Sequence, residues 1–259
     1  MANRISSHIV LILITLLVAG CVTTVESRLT RKADPDKAVE NYTQLGLGYI
    51  QQGRYDRARA RLNRALEINP EYPGANTAMA ILLQVEGEPQ GAREYFEKTL
   101  DLDDEFSKGH YHFGLFLMQN KEYEKACHHL KQAAQDIEFQ QRGNAYTNLG
   151  LCYYRNGDVA NAIKTYKRTL KVQRYNAQAL VNLSAVLFEE AQYQESQQYF
   201  ARFQQLVNRK QSQHSANSLW LGIKLAQVQG STQKAAQLAA ELGKQFPDSN
   251  EYQLYKKSL

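Results

Sequence analysis

The stretch that most limits what this chain can fold into is Val39 to Tyr72, because its pattern returns along nearly the whole sequence. Tyr42, Leu45, Gly46 and Tyr49 fall at i, i+3, i+4 and i+7, one face of a helix. Gly53 and Tyr55 mark a turn, and Ala58, Leu62 and Ala65 form the apolar face of a second helix that Pro70 closes. Gly46 and Ala58 are small, so the two helices can approach closely. The spacing predicts a helical hairpin.

The unit recurs every 34 residues or so. Residues 73–106 place Met79, Ala80, Leu83, Ala92 and Phe96 at the matching positions. Residues 107–142 place Phe113, Gly114, Leu117, Ala126, Leu130 and Ala133 there, with about two extra residues before the next unit. Residues 143–176 are as regular as the first unit, with Tyr146, Leu149, Gly150, Tyr153, Gly157, Ala162 and Tyr166. The fifth, 177–210, is weaker, and a degenerate sixth, 215–248, holds Leu221, Gly222, Leu225, Gly230, Ala235 and Ala239. Its two helices are out of phase by one residue, which predicts a one-residue insertion near its turn. The pattern resembles the tetratricopeptide repeat (TPR). The expected fold is therefore all-α: a superhelical solenoid of six TPR hairpins closed by a capping helix over 249–259. Ser249 is the expected N-cap, with Tyr252, Leu254 and Tyr255 covering the last apolar face.

Before the first repeat stands MANRISSHIVLILITLLVAGC. Arg4 precedes an apolar run from Ile9 to Val18, too short for a comfortable bilayer span, and small residues lead into Cys21. The segment looks like a lipoprotein signal peptide over 1–20, with Cys21 as the lipidated first residue of the mature chain. By the same resemblance, Val22 rather than Asp after the cysteine implies the outer membrane. Residues 21–38 read as a flexible tether.

Composition narrows the function. The net charge of +5 is too mild to imply a nucleic-acid partner. Of three cysteines, Cys127 and Cys152 remain after Cys21, and they fall on helices that should be neighbours. A disulfide between them is conceivable in an oxidising compartment, while the simpler expectation is two small buried thiols. His110, His112, Cys127, His128 and His129 invite a metal hypothesis, but their helical spacing splays them, so no metal site is expected. No nucleophile–base order, paired carboxylates or phosphate loop occurs in the sequence; the expectation is a non-enzyme with no cofactor. Arg57, Arg61 and Arg64 form a basic stripe that reads as a solvated helix face, with an anionic partner as the alternative.

In TPR arrays the first helix of each repeat lines a concave groove. That assigns a partner-binding groove to Thr43, Leu47, Ile50 and Gln51, then Ile81 and Gln84, then Tyr111, Leu115 and Met118, then Leu151 and Tyr154. Thr77, Gln119, Thr147, Arg155, Val181, Ala185 and Phe188 share these columns. The strip is largely aliphatic and aromatic, which points to a surface for a protein partner, with cover by a tightly wound solenoid or a self-packed terminus as the alternative.

A lipidation signal, a short tether, NYTQLGLGYIQQGRYDRARARLNRALEINP and a late SLWLGIKLAQVQG together resemble the PilF/PilW family of type IV pilus biogenesis lipoproteins. The resemblance implies an outer-membrane lipid anchor facing the periplasm. It also implies that the chain binds the type IV pilus secretin subunit and promotes its localisation and multimer assembly, hence pilus formation and twitching motility. A monomer is expected. A general TPR adaptor for another envelope assembly machine, or an enzyme's accessory subunit, is the alternative.

Overall fold

In the computed structural model, residues 34–258 are described. They form thirteen α-helices and no strand among the described residues. The expected signal peptide, Cys21 and the tether up to residue 33 lie outside the described residues. The tether expected to reach residue 38 ends sooner, because helix α1 spans Pro35–Gln51. Pro suits a first helical position, and the Asp34 carboxylate accepts from the Asp36 and Lys37 amides.

Twelve of the helices form six antiparallel hairpins in chain order. They are α1/α2 (Tyr55–Ile68), α3 (Pro73–Val85)/α4 (Pro89–Leu102), α5 (Ser107–Gln119)/α6 (Tyr123–Gln135), α7 (Arg142–Arg155)/α8 (Val159–Val172), α9 (Ala177–Glu189)/α10 (Tyr193–Asn208) and α11 (Ala216–Val228)/α12 (Thr232–Gln245). Every hairpin turns through three residues, and the middle one is always left-handed: Gly53, Gly87, Lys121, Gly157, Ala191 and Gly230. In the first turn the amide of Gly53 donates to Ile50 O and that of Arg54 to Tyr49 O, both at 2.9 Å, which closes the helix end in a Schellman motif. Gly adopts this conformation freely; Lys121 and Ala191 hold it at a cost of about 1 kcal/mol each.

This common turn overturns one expectation. The sixth hairpin has no insertion near its turn. Instead Ile223, not Gly222, stands seven residues before the left-handed position, where the first hairpin has Gly46. The size pairing is reversed there. In the first, third and fourth hairpins a glycine faces a large residue (Gly46 and Leu62, Gly114 and Leu130, Gly150 and Tyr166). In the sixth, Ile223 and the small Ala239 share a core cluster.

Adjacent hairpins are clasped at one recurring position of the second helix. Arg59 pairs with Glu86 and, at 3.6 Å, with Glu88; Arg93, 34 residues on, pairs with Glu122. A further 34 residues on, Cys127 is disulfide-bonded to Cys152, their Cα atoms 5.6 Å apart. Two free thiols were the simpler expectation, and the bridge replaces it. The solenoid's stacking brings α6 and α7 close enough for covalent closure where the earlier repeats use an ion pair.

Helix α13 (Asn250–Lys257) ends the stack. The Ser249 hydroxyl accepts from the Tyr252 amide, and Tyr252 and Tyr255 pack with Trp220 on the Leu219, Ile223 and Leu242 cluster. Leu254, expected to share in this cover, is 41% exposed and does not.

Candidate functional site

The uniform turn defines the groove's register. The residue six positions before each left-handed residue is Leu47, Ile81, Leu115, Leu151, Ala185 and finally Lys224. All six are half-buried. One column of side chains thus runs the length of the solenoid, apolar in five repeats and cationic in the last.

Two assigned groove residues are not available to a partner. Thr43 is buried, and its hydroxyl donates to Val39 O at 2.8 Å, as helical threonines with no solvent contact do. Tyr111 is also buried, its hydroxyl accepting from Asn148 Nδ2 at 3.1 Å and its ring against Phe139. Thr77 and Thr147 are buried likewise. The others remain at the surface. Ile50, Ile81, Leu115 and Met118 rest on the main core with one side free, and Gln51 is exposed. Gln84 donates to Gln119 across one repeat boundary, and Tyr154 Oη donates to Glu189 at 2.6 Å across another.

Two clefts open along the groove. The first, 790 Å³, lies among Leu47 and Gln51 of α1, His112 of α5, and Phe139 of the α6–α7 connection. Its lining also carries Asp103, Glu105, Asp136 and Glu138 against one lysine, Lys108. The Ser107 hydroxyl donates to Asp136 and holds that carboxyl below its usual range, while burial pushes His112 down to about 4, so the histidine adds no positive charge to the mainly acidic lining at neutral pH. The second cleft, 490 Å³, lies among Leu151 and Tyr154 of α7, Val181 and Ala185 of α9, and Trp220 and Lys224 of α11.

Gln44, His112, Asn182, Trp220 and Lys224 line these clefts although no groove role was assigned to them from sequence. Gln44, His112 and Asn182 stand one helical turn before Leu47, Leu115 and Ala185, so a wider angular window on the same helices would have found them. Trp220 and Lys224 belong to the sixth repeat, to which the sequence pattern assigned no groove position.

Of the clustered histidines, His110 and His129 are hydrogen-bonded to each other and His128 packs edge-on against His129. His110 Nδ1 and His129 Nδ1 lie 2.9 Å apart, and His110 Nε2 donates to Asp104 O at 2.7 Å, which leaves His110 Nδ1 to accept from His129. Among the described residues no three metal-ligating side chains converge. Arg57, Arg61 and Arg64 are exposed on α2, and Arg64 pairs with Glu67 at 2.8 Å.

A stack of helical hairpins with a groove along their first helices defines the class: a tetratricopeptide-repeat protein. Models of the tetratricopeptide repeat match residues 49–111, 132–179 and 147–215. The type IV pilus assembly protein PilF of Pseudomonas aeruginosa is 33% identical over 238 residues, 92% of this chain and 92% of that protein. A solved structure from the functional characterisation of Pseudomonas aeruginosa PilF superposes with a TM-score of 0.79 over 87% of this chain and 99% of its own. The crystal structure of PilW, described as a widely conserved type IV pilus biogenesis factor, is 25% identical with a TM-score of 0.74, over 86% of this chain and 99% of its own. The chain belongs to the PilF/PilW family of type IV pilus biogenesis TPR proteins.

Proposed function

We propose that this protein is an outer-membrane lipoprotein that grips the type IV pilus secretin subunit in its groove and promotes secretin localisation and multimer assembly. The observation that carries the proposal is the half-buried apolar column Leu47, Ile81, Leu115, Leu151. In a family devoted to pilus biogenesis, such a strip suits a protein segment laid across several repeats. Acyl chains on Cys21 supply the address. A secretin subunit held by an acylated partner stays at the inner leaflet of the outer membrane, which raises its local concentration for ring assembly. No nucleic acid and no cofactor enter this mechanism, and the protein works as a monomer.

A deletion strain tests the reading. Loss of twitching motility together with loss of the heat-resistant secretin multimer is the expected result. Pilus loss accompanied by general envelope defects would point to a broader adaptor instead. In cells carrying Cys21→Ala, the secretin should leave the outer-membrane fraction; normal outer-membrane secretin would overturn the anchoring step.

A further inference from the structure

The apolar column of the groove ends on a cation. Lys224 is half-buried, and its Nζ sits 4.6 Å from the centroid of the Phe188 ring and 5.8 Å from that of Trp220. Among the described residues Lys224 forms no ion pair. The one carboxylate on the cleft's lining, Glu189, accepts from the Tyr154 hydroxyl at 2.6 Å and stands beyond ion-pair distance of Lys224, on which its charge still acts. Arg155, on the same lining, likewise forms no ion pair among the described residues, so the lining carries two cations against one carboxylate. A lysine desolvated against aromatic faces loses hydration that a carboxylate would restore. Leu151, Val181 and Ala185 offer apolar floor within the same cleft.

We propose that this C-terminal cleft is a second docking site, which takes a short acidic–apolar peptide segment of a protein partner. An Asp or Glu carboxylate meets Lys224, and the neighbouring aliphatic side chain lies on Val181 and Ala185. The site goes beyond the secretin-gripping proposal and does not depend on which assembly the protein serves. It also gives the groove a direction, because the lining of the opposite cleft is mainly acidic. Cleft volume suits a few residues, so this end reads a motif while the longer apolar strip supplies area.

The test uses an array of hexapeptides in which Asp or Glu is set among Leu, Ile and Phe, each paired with its Asn or Gln counterpart, probed with the full chain. Retention on the acidic peptides should exceed that on their amide counterparts by about tenfold or more, the usual scale for a charge-assisted contact. Lys224→Met should abolish that preference and Lys224→Arg should keep it. Trp220, the only tryptophan in the chain, should change its emission on titration with an acidic hexapeptide and not with its amide twin, a readout that needs no variant. The Leu47→Asp, Ile50→Asp variant should keep the preference, so failure of the secretin reading is distinguishable from failure of this one. Equal retention of acidic and amide peptides, no retention of either, or an undiminished preference in Lys224→Met would overturn the proposal.

Discussion

Gly150→Ala should destabilise the solenoid even though alanine is the better helix former. A Cβ at position 150 would lie 2.6 and 2.7 Å from two ring carbons of Tyr166 and 3.0 Å from a third, about 1 Å inside ordinary contact. Tyr166 is fully buried, and its hydroxyl accepts from Asn182 on the next hairpin, so the ring has no free direction in which to move. Overpacking of this kind costs about 2–3 kcal/mol, against about 1 kcal/mol gained in helix propensity, a net loss of roughly 1–2 kcal/mol. For a chain of this size that is a fall in Tm of about 2–8 °C. Gly48 is the control: it is helical too, but a Cβ there meets nothing within 4 Å, so Gly48→Ala should raise stability by about 0.5–1 kcal/mol. Thermal and urea melts of the two variants by far-ultraviolet circular dichroism decide the matter. If Gly150→Ala is as stable as the parent, or both variants gain equally, close helix approach is not what places glycine in the fourth repeat.

Other consequences can be measured on the same purified protein. Reducing the Cys127–Cys152 bridge, which closes a 25-residue separation, should cost about 3 kcal/mol in urea melts; an unchanged midpoint would mean the bridge adds no constraint. Ala191→Gly, at an exposed left-handed position, should stabilise by roughly 0.5–1 kcal/mol, and a loss instead would show that the turn carries no strain. Burial pushes His112 and His129 down to about 4 and lowers His110 as well, with neighbouring Lys108 and His128 adding to the effect. The unfolded chain therefore takes up protons first: stability should be full above about pH 6.5 and fall as pH drops toward 4, by up to about 1.4 kcal/mol per pH unit for each histidine. A His112→Gln, His129→Gln variant that kept the parent's full slope would assign it to other groups.

The repeat was legible because solenoid packing is local: each hairpin must bury the same face against its neighbours, so Gly46, Gly114 and Gly150 announce themselves at fixed offsets from Leu62, Leu130 and Tyr166. Register in the sixth repeat was not, because Ile223 with Ala239 serves the same contact with the sizes exchanged, while Gly222, one residue away, is also closely packed, against Phe200 and Leu238. Thr43 and Tyr111 were misassigned for a different reason. Both share the angular sector of the groove, but a threonine hydroxyl bonded to its own helix and a tyrosine met by Asn148 leave the surface through contacts that periodicity does not encode. The disulfide depended on the distance between two helices, which spacing along the chain brackets and only stacking determines.

The most direct test of the groove as the secretin-gripping surface is the amount of heat-resistant secretin multimer in outer membranes of cells expressing Leu47→Asp, Ile50→Asp in place of the parent. Both side chains are half-buried at the edge of the core, so circular dichroism should first show helicity retained. Loss of the multimer with the lipoprotein still present at normal level in the outer membrane is the expected result. Multimer at the parental level in those membranes would contradict the groove as the place where the secretin is held.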